Sequence, residues 1–334
     1  MSPMLPPGTD NFTSARAKLV PMEERIATEV DGVGLTLTHL DRPLFPDGFT
    51  KGELVSYYLE VSDALLPHLA DRAVTRVRFP EGTAKEGFYE KNLPGGAPSW
   101  VRTIPVATTT GTVDYVAVDG RPALVWLANL AAVELHTTQW RASDATQGPD
   151  GVLLEGNDEP RATTLVVDLD PGPGVGPEAS AKAALLAATA LAELGLECHP
   201  KSSGNKGLQL GVALRPTPCS RVFAFAQALA KVLARAHPTV FTATMAKDAR
   251  PGLVYVDYSQ NLAARNTVAP YSVRGLSTPR VSTPLTWGEV AALRPGSTLG
   301  FSPAEVLERV QRHGDLWQAV LTTAGAPDLP EPPA

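Results

Sequence analysis

Apolar and polar positions along this chain change period several times, and each change predicts an element. TKGELVSYYLEVSDALLPHL (50–69) spaces its apolar residues at helical intervals, with Thr50 as N-cap and Glu53 at the capping-box position. GVGLTLTHLDRPLFP reads as a strand and turn, and AVTRVRF, GFYEKN and VDYVAV as short strands. PALVWLANLAAVELH, ending at His136, reads as an apolar helix. Residues 142–162 form a polar, turn-rich surface connection to the apolar strand TTLVVDLDPGPG (163–174). GPEASAKAALLAATALAELG follows as a helix, with Pro177 near its first position and Gly195 at its C-terminal cap. LECHPKS, LQLGVAL and LVYVDYS are further strands, and CSRVFAFAQALAKVLARAH is a helix. A last helix starts at SPAEVLERVQRH, with Ser302 as N-cap, Pro303 at N1 and Glu305 at N3. Strands and helices mixed without a strict βαβ rhythm predict an α/β or α+β enzyme rather than a doubly wound sheet. Residues 1–30, rich in Pro and Gly without any period, predict a flexible segment, and 324–334 a disordered tail.

Composition sharpens this picture at three points. With 43% hydrophobic and 19% charged residues, the chain has the makeup of a globular protein with a real core. Its longest apolar run, LVWLANLAAV, is too short to span a bilayer, and no signal-peptide pattern opens the chain. Cys198 and Cys219 are too few for a zinc cluster and fit structural thiols in a reducing cytoplasm. Net charge is −6, yet 201–280 holds eleven Lys or Arg against two acids, so that stretch carries +9 and the rest −15. Such asymmetry predicts a local anion site on a protein kept soluble by acids elsewhere.

Candidate chemistry begins where the apolar strand ends in two carboxylates. Asp168 and Asp170 share one face of the strand, and Val167 and Leu169 the other. Asp170-Pro171-Gly172 alone is an ordinary turn, but Asp168 within a β-branched strand is not. Like charges held so close need a cation between them or a shared proton. In LVYVDYSQN, Asp257 points away from Val254, Val256 and Tyr258; if the two strands are neighbours, three carboxylates converge. An all-oxygen set suits magnesium or manganese, and two such ions about 3.5–4 Å apart can drive transfer at phosphorus. PKSSGNKGLQLGV (200–212) offers Gly204 and Gly207 for tight turns, Lys206 between them, and the hydroxyls of Ser202 and Ser203. It lacks Walker A spacing; read alone it is a polar hairpin turn, but after the aspartate strand it has the makeup of a triphosphate cradle. Arg274, in NTVAPYSVRG, is placed to hold a phosphate bidentately.

Taken in order, VVDLDPG, KSSGNKGLQL, YVDYSQN and TVAPYSVRG, with FYEKNLPGGAPSWVRT and LVWLANLAAVELH, resemble the polymerase domain of bacterial ligase D, in the archaeo-eukaryotic primase superfamily. The resemblance runs from about Leu35 to Pro295. It implies a primase-polymerase fold of mixed and antiparallel sheets flanked by helices, with two intertwined subdomains in 31–300 and a C-terminal helix in 301–323. It implies template-dependent nucleotidyl transfer to primer 3′-ends at gaps or breaks in DNA repair, favouring manganese and ribonucleotides. Asp168, Asp170 and Asp257 would ligate two ions. Ser203, Lys206, Arg250 and Arg274 would hold the triphosphate, with His136 and Gln260 around the sugar. Lys51 and Arg42 would form a 5′-phosphate pocket, and Phe88 and Tyr89 would stack on template bases. Two departures stand out. Gln209 occupies a position where many relatives have histidine, so no ionic phosphate contact is available there, and Arg42 stands where lysine is frequent. Nothing resembling a ligase or nuclease domain is present. The expectation is therefore a monomeric, stand-alone cytoplasmic polymerase that works with gapped or broken DNA, a separate ligase and an end-binding protein.

Two other classes compete. A haloacid dehalogenase-type phosphatase also ends a strand in D-x-D, but needs a later acidic pair; Gly314-Asp315 has no such companion. A non-catalytic DNA-end bridging module would keep a decayed site, against which all three aspartates count.

Overall fold

The structure, a computed structural model, describes residues 25–246, 248 and 250–333. Strand β1 (Arg25–Val30) turns through Asp31 and Gly32, both at positive φ, and pairs along its whole length with β2 (Val33–Thr38). Residues 25–30 are thus an ordered strand and not part of a flexible segment, because this turn gives them a partner; the rest of that expected segment lies outside the described residues. Helix α1 (Lys51–Glu60) begins at the expected capping box, Thr50 Oγ1 accepting from Glu53 N and Glu53 Oε2 from Thr50 N. It is jointed at Val61 to α2 (Ser62–Leu69), so the single helix expected from the sequence is two.

The first large sheet is built from β3 (Val74–Arg78), β4 (Phe88–Glu90), β5 (Thr103–Thr108) and β6 (Gly111–Val116). Helix α3 (Arg121–Asn129) follows; Ala131 then takes φ 57°, and the chain continues as β7 (Ala132–Thr137). His136 is therefore on a strand, not at the end of a helix. An unbroken apolar run does not distinguish a buried strand from a buried helix, and every residue of β7 is buried. Within the polar connection, β8 (Gln147–Gly148) and β9 (Gly151–Val152) extend the sheet, with Val152 fully buried.

The second sheet is centred on the eleven-residue β10 (Arg161–Pro171). Helix α4 (Pro177–Glu193), β11 (His199–Ser202), β12 (Leu208–Pro218), α5 (Cys219–Ala236), β13 (Phe241–Thr242) and β14 (Val254–Asp257) complete it. Strand order is β11-β12-β10-β14-β13, antiparallel except for the parallel β13–β14 pair. Buried residues of α5 (Val222, Phe225, Ala226, Leu229, Ala230, Leu233) recur every three or four positions and form one apolar cluster with the alanines of α4 and Val167 and Leu169 of β10. A second cluster joins α1–α3 to β3 and β7.

The two sheets are stitched together where the site lies. After a 3₁₀ turn at Tyr258–Asn261, β15 (Thr267–Val268) leaves the second sheet and pairs with β7, Val268 opposite His136. The hairpin β16 (Val273–Arg274) and β17 (Arg280–Val281) comes next, then α6 (Trp287–Ala291) and α7 (Pro303–His313), the last capped by Ser302 and Glu305 as expected. The final residues are packed. Leu329 is 2% exposed, Arg215 N donates to Pro327 O, and Arg221 Nη2 donates to Leu329 O. Residues 324–333 therefore lie ordered along β12 and α5, because Ala326 and Leu329 supply the apolar anchors that a composition rich in proline hides. No helix among the described residues is long and apolar enough to cross a membrane.

Candidate active site

Antiparallel register brings the acidic residues together. Asp168 lies opposite Asp257 on one neighbouring strand and opposite Gln209 on the other, with Asp170 two residues further along the same face. One oxygen from each of Asp168, Asp170 and Asp257 lies within 4.8 Å of the others. Asp168 is buried, and its Oδ1 has no hydrogen-bond donor among the described residues. Burial, then the neighbouring Asp170 charge, raises its pKa above the usual carboxylate range; burial and then Asp257 do the same to Asp170. A buried anionic oxygen with no donor, in a trio that repels itself, fits a hard divalent cation. Asp257 is held by hydrogen bonds to both of its oxygens. Its Oδ1 accepts from Ser259 N (3.0 Å) and Oγ (2.6 Å), and its Oδ2 from Gln260 Nε2 (3.0 Å).

Beside the carboxylates runs the 202–207 loop. Gly204 takes φ 77°, and a side chain there would run into Arg274. Ser203 Oγ accepts from Asn205 N and Gly207 N, and Ser202 Oγ from Gly204 N. The loop amides expected to cradle phosphate are thus largely occupied by its own serines. From this loop Ser203, Asn205, Lys206 and Gly207 line the cleft, with Asn205 and Lys206 exposed. Opposite, Arg250 stacks 3.8 Å over the Tyr255 ring, and its backbone carbonyl would meet any side chain at position 172, which explains the glycine after Asp170-Pro171.

Asp168, Asp170, Ser203, Lys206 and Arg250 line a cleft of about 900 Å³, shared with His136, Gln209, Gln260, Arg274 and Tyr89. Asp257 does not line it and reaches it through its contact with Gln260. His136 Nε2 lies 2.8 Å from Glu134 Oε2, so with Glu134 ionised that nitrogen carries the proton. Burial lowers the His136 pKa, whereas the Glu134 carboxyl, despite burial, is held at about 2 by His136, Arg274 and the Gly275 amide. Arg274 Nε approaches Glu134 Oε2 to 3.2 Å, and its Nη1 donates to Ser203 O. Tyr89 and Phe88 are exposed by 67% and 43%, standing on β4, with the Tyr89 ring edge-on to His136 at 5.9 Å. Glu90 anchors that strand by accepting from Arg76 and Arg78.

Other expected residues are placed differently. Arg42 and Lys51 are brought together by the Lys51 N–Arg42 O bond, but neither lines the cleft. Lys51 is only 5% exposed, with Nζ donating to Thr38 Oγ1 and Asn129 O, so Arg42 is the exposed cation of the pair. The basic stretch does not form one patch either. Lys206, Arg250, Arg265 and Arg274 line the cleft, whereas Lys201 is buried against Ser282, and Arg215 and Arg221 pair with Asp328 and Glu331 in the tail. Lys91, Arg265 and Asn266 also line the cleft, and sequence reasoning does not single them out; FYEKN carries the first as an unremarkable lysine beside the aromatic pair.

Comparison with known proteins bears on the fold and family of the chain. A family model described as the primase-polymerase domain of LigD matches residues 50–317. The multifunctional non-homologous end joining protein LigD of Mycolicibacterium smegmatis is 42% identical over 284 residues, which is 84% of this chain and 35% of that protein. The bifunctional LigD of Bacillus subtilis is 32% identical over 84% of this chain and 43% of its own length. This chain thus spans well under half of either relative. Among solved structures, the polymerase domain of Mycobacterium tuberculosis ligase D in complex with DNA superimposes with a TM-score of 0.78 at 39% identity, covering 88% of this chain and 99% of that one.

Proposed function

Because this chain belongs to the LigD primase-polymerase domain family, we propose that it adds nucleotides to primer 3′-ends at gaps and breaks in DNA during end joining. In this reading it is template-directed, favours ribonucleotides and uses two divalent ions, manganese foremost. The observation that carries it is the trio Asp168, Asp170 and Asp257, converging within 4.8 Å, with Asp168 and Asp170 lining a cleft of about 900 Å³ edged by Lys206, Arg250 and Arg274.

Asp168, Asp170 and Asp257 would hold the ions. Held by these residues, divalent cations would favour ionisation of the primer hydroxyl and would neutralise charge on the departing pyrophosphate. Lys206, Ser203 and Arg274 grip the triphosphate so that its α-phosphorus is aligned before reaction. Arg250, fixed by its stacking on Tyr255, approaches from the other wall. His136 presents Nδ1 toward the sugar, since Nε2 is committed to Glu134. Gln260 has one amide hydrogen on Asp257 and so links sugar contacts to the metal-binding carboxylate. Gln209 adds an uncharged amide beside Asp168. Phe88 and Tyr89 offer faces for unpaired template bases, a contact that does not depend on sequence. Arg42, backed by Lys51, is the 5′-phosphate contact. In this reading the catalytic residues fall within 31–300, read as two subdomains, and the protein is a cytoplasmic monomer that works with a ligase and an end-binding protein.

Extension of a labelled primer across a gapped duplex, with manganese and each nucleotide type, tests this. Ribonucleotide addition directed by the template base is expected. No addition under any divalent metal would overturn it.

A further inference from the structure

From the contacts of one buried carboxylate we infer that Glu134 is a positioning residue that orders the nucleotide pocket, setting His136 and Arg274 at the same time through a single shared charge. The inference rests on the polymerase reading above and deepens it. Glu134 sits on β7 two residues before His136, so the two side chains share a strand face. Its Oε2 lies 2.8 Å from His136 Nε2 and 3.2 Å from Arg274 Nε, while Oε1 accepts from Gly275 N at 2.8 Å. One carboxylate therefore ties the first sheet to the β16–β17 hairpin that delivers Arg274. It does so while 6% exposed and without lining the cleft.

The arrangement has chemical consequences. An anionic acceptor at Nε2 fixes the neutral imidazole as the Nε2–H tautomer, leaving Nδ1 as an acceptor for a hydroxyl group. The same anion opposes the Arg274 guanidinium from behind, and Arg274 in turn holds Ser203 O at the base of the 202–207 loop. Tyr89 packs edge-on against His136 on the other side. Glu134 is thus the hub between base-stacking, sugar and phosphate contacts, although it touches no part of the nucleotide itself. The bonds to His136 and Gly275 fix the carboxylate, and its ion pair with Arg274 acts through charge alone because Arg274 Nε lacks hydrogen-bond geometry. Ordering the pocket in advance lowers the cost of nucleotide binding.

Glu134→Gln keeps the size and an acceptor for Gly275 N but removes the charge. With a fluorescently labelled ribonucleoside triphosphate and manganese as the probe, its Kd should rise about tenfold or more. The KM for nucleotide in gap extension should rise in parallel, with kcat and duplex affinity within a few-fold of wild type. Glu134→Asp, which restores the charge one methylene short, should recover part of the loss. His136→Ala should cost less in the Glu134→Gln background than alone. A Glu134→Gln protein that binds the probe within twofold of wild type overturns the inference. So does one that fails to fold while Glu134→Asp binds normally, since the carboxylate would then be structural only. Wild-type protein that binds the probe but extends no primer sinks the polymerase reading instead, and wild-type protein that binds no probe sinks both.

Discussion

Single side chains decide whether this site can work. Asp168 Oδ1 is buried without a donor and borders two other carboxylates, so it is the group that most needs a cation. Asp168→Ala should lower primer extension by roughly two orders of magnitude or more while leaving duplex affinity, measured by fluorescence anisotropy, unchanged. The aspartates are legible in the sequence because D-x-D in a β-branched strand breaks a local rule and invites an explanation. Glu134 is not, because one carboxylate inside an apolar run carries no pattern; its role comes from a hairpin far along the chain that supplies Arg274 and Gly275. Lys51 shows the opposite failure. Sequence identifies it as a cation near Arg42, but the carbonyl and hydroxyl that bury its ammonium come from Asn129 and Thr38, which spacing does not reveal.

At the scale of elements, local signals are legible in the sequence and lateral ones are not. The capping boxes at Thr50 and Ser302 lie within four residues and appear as expected, whereas 130–137 has the pattern of a helix because burial on both faces erases the strand's alternation. The two elements that shape the cleft rim depend on packing with little tolerance. Arg76 is fully buried and leans on Glu90, which fixes the strand carrying Phe88 and Tyr89. Glu90→Ala should destabilise the protein by about 3 kcal/mol in urea unfolding and weaken template binding, because it strands a buried guanidinium. Gly172→Ala would place a methyl 2.0 Å from Arg250 O. Moving that backbone aside should cost about 1–3 kcal/mol and raise the nucleotide KM through Arg250, as thermal unfolding and steady-state kinetics would show.

Across the whole molecule, electrostatics give stability a pH profile with two opposing parts. Glu134 and Glu289 have folded pKa values of about 2, below those of an unfolded chain, so the stability they add is present at neutral pH and lost as pH falls from about 4.5 toward 2. His68, buried against Asp315, has a lowered pKa chiefly through burial, so it also favours folding above the ordinary histidine value and costs stability below it. Asp168 and Asp170 act with the opposite sign. Their raised pKa values mean that metal-free protein loses stability as pH rises above the usual carboxylate range. Manganese at a hundredfold excess over its Kd should therefore raise the melting temperature by roughly 4 °C at pH 7.5, an effect removed by chelator and absent from Asp168→Ala. The end of the chain belongs to this balance as well. Trp317 packs against Gly211 in the strand beside β10, and Leu329 plugs the same apolar cluster as Leu169. Excising the polymerase unit for grafting onto another enzyme therefore demands a cut beyond Leu329; a shorter fragment would unseal the floor beneath the strand that carries Asp168 and Asp170.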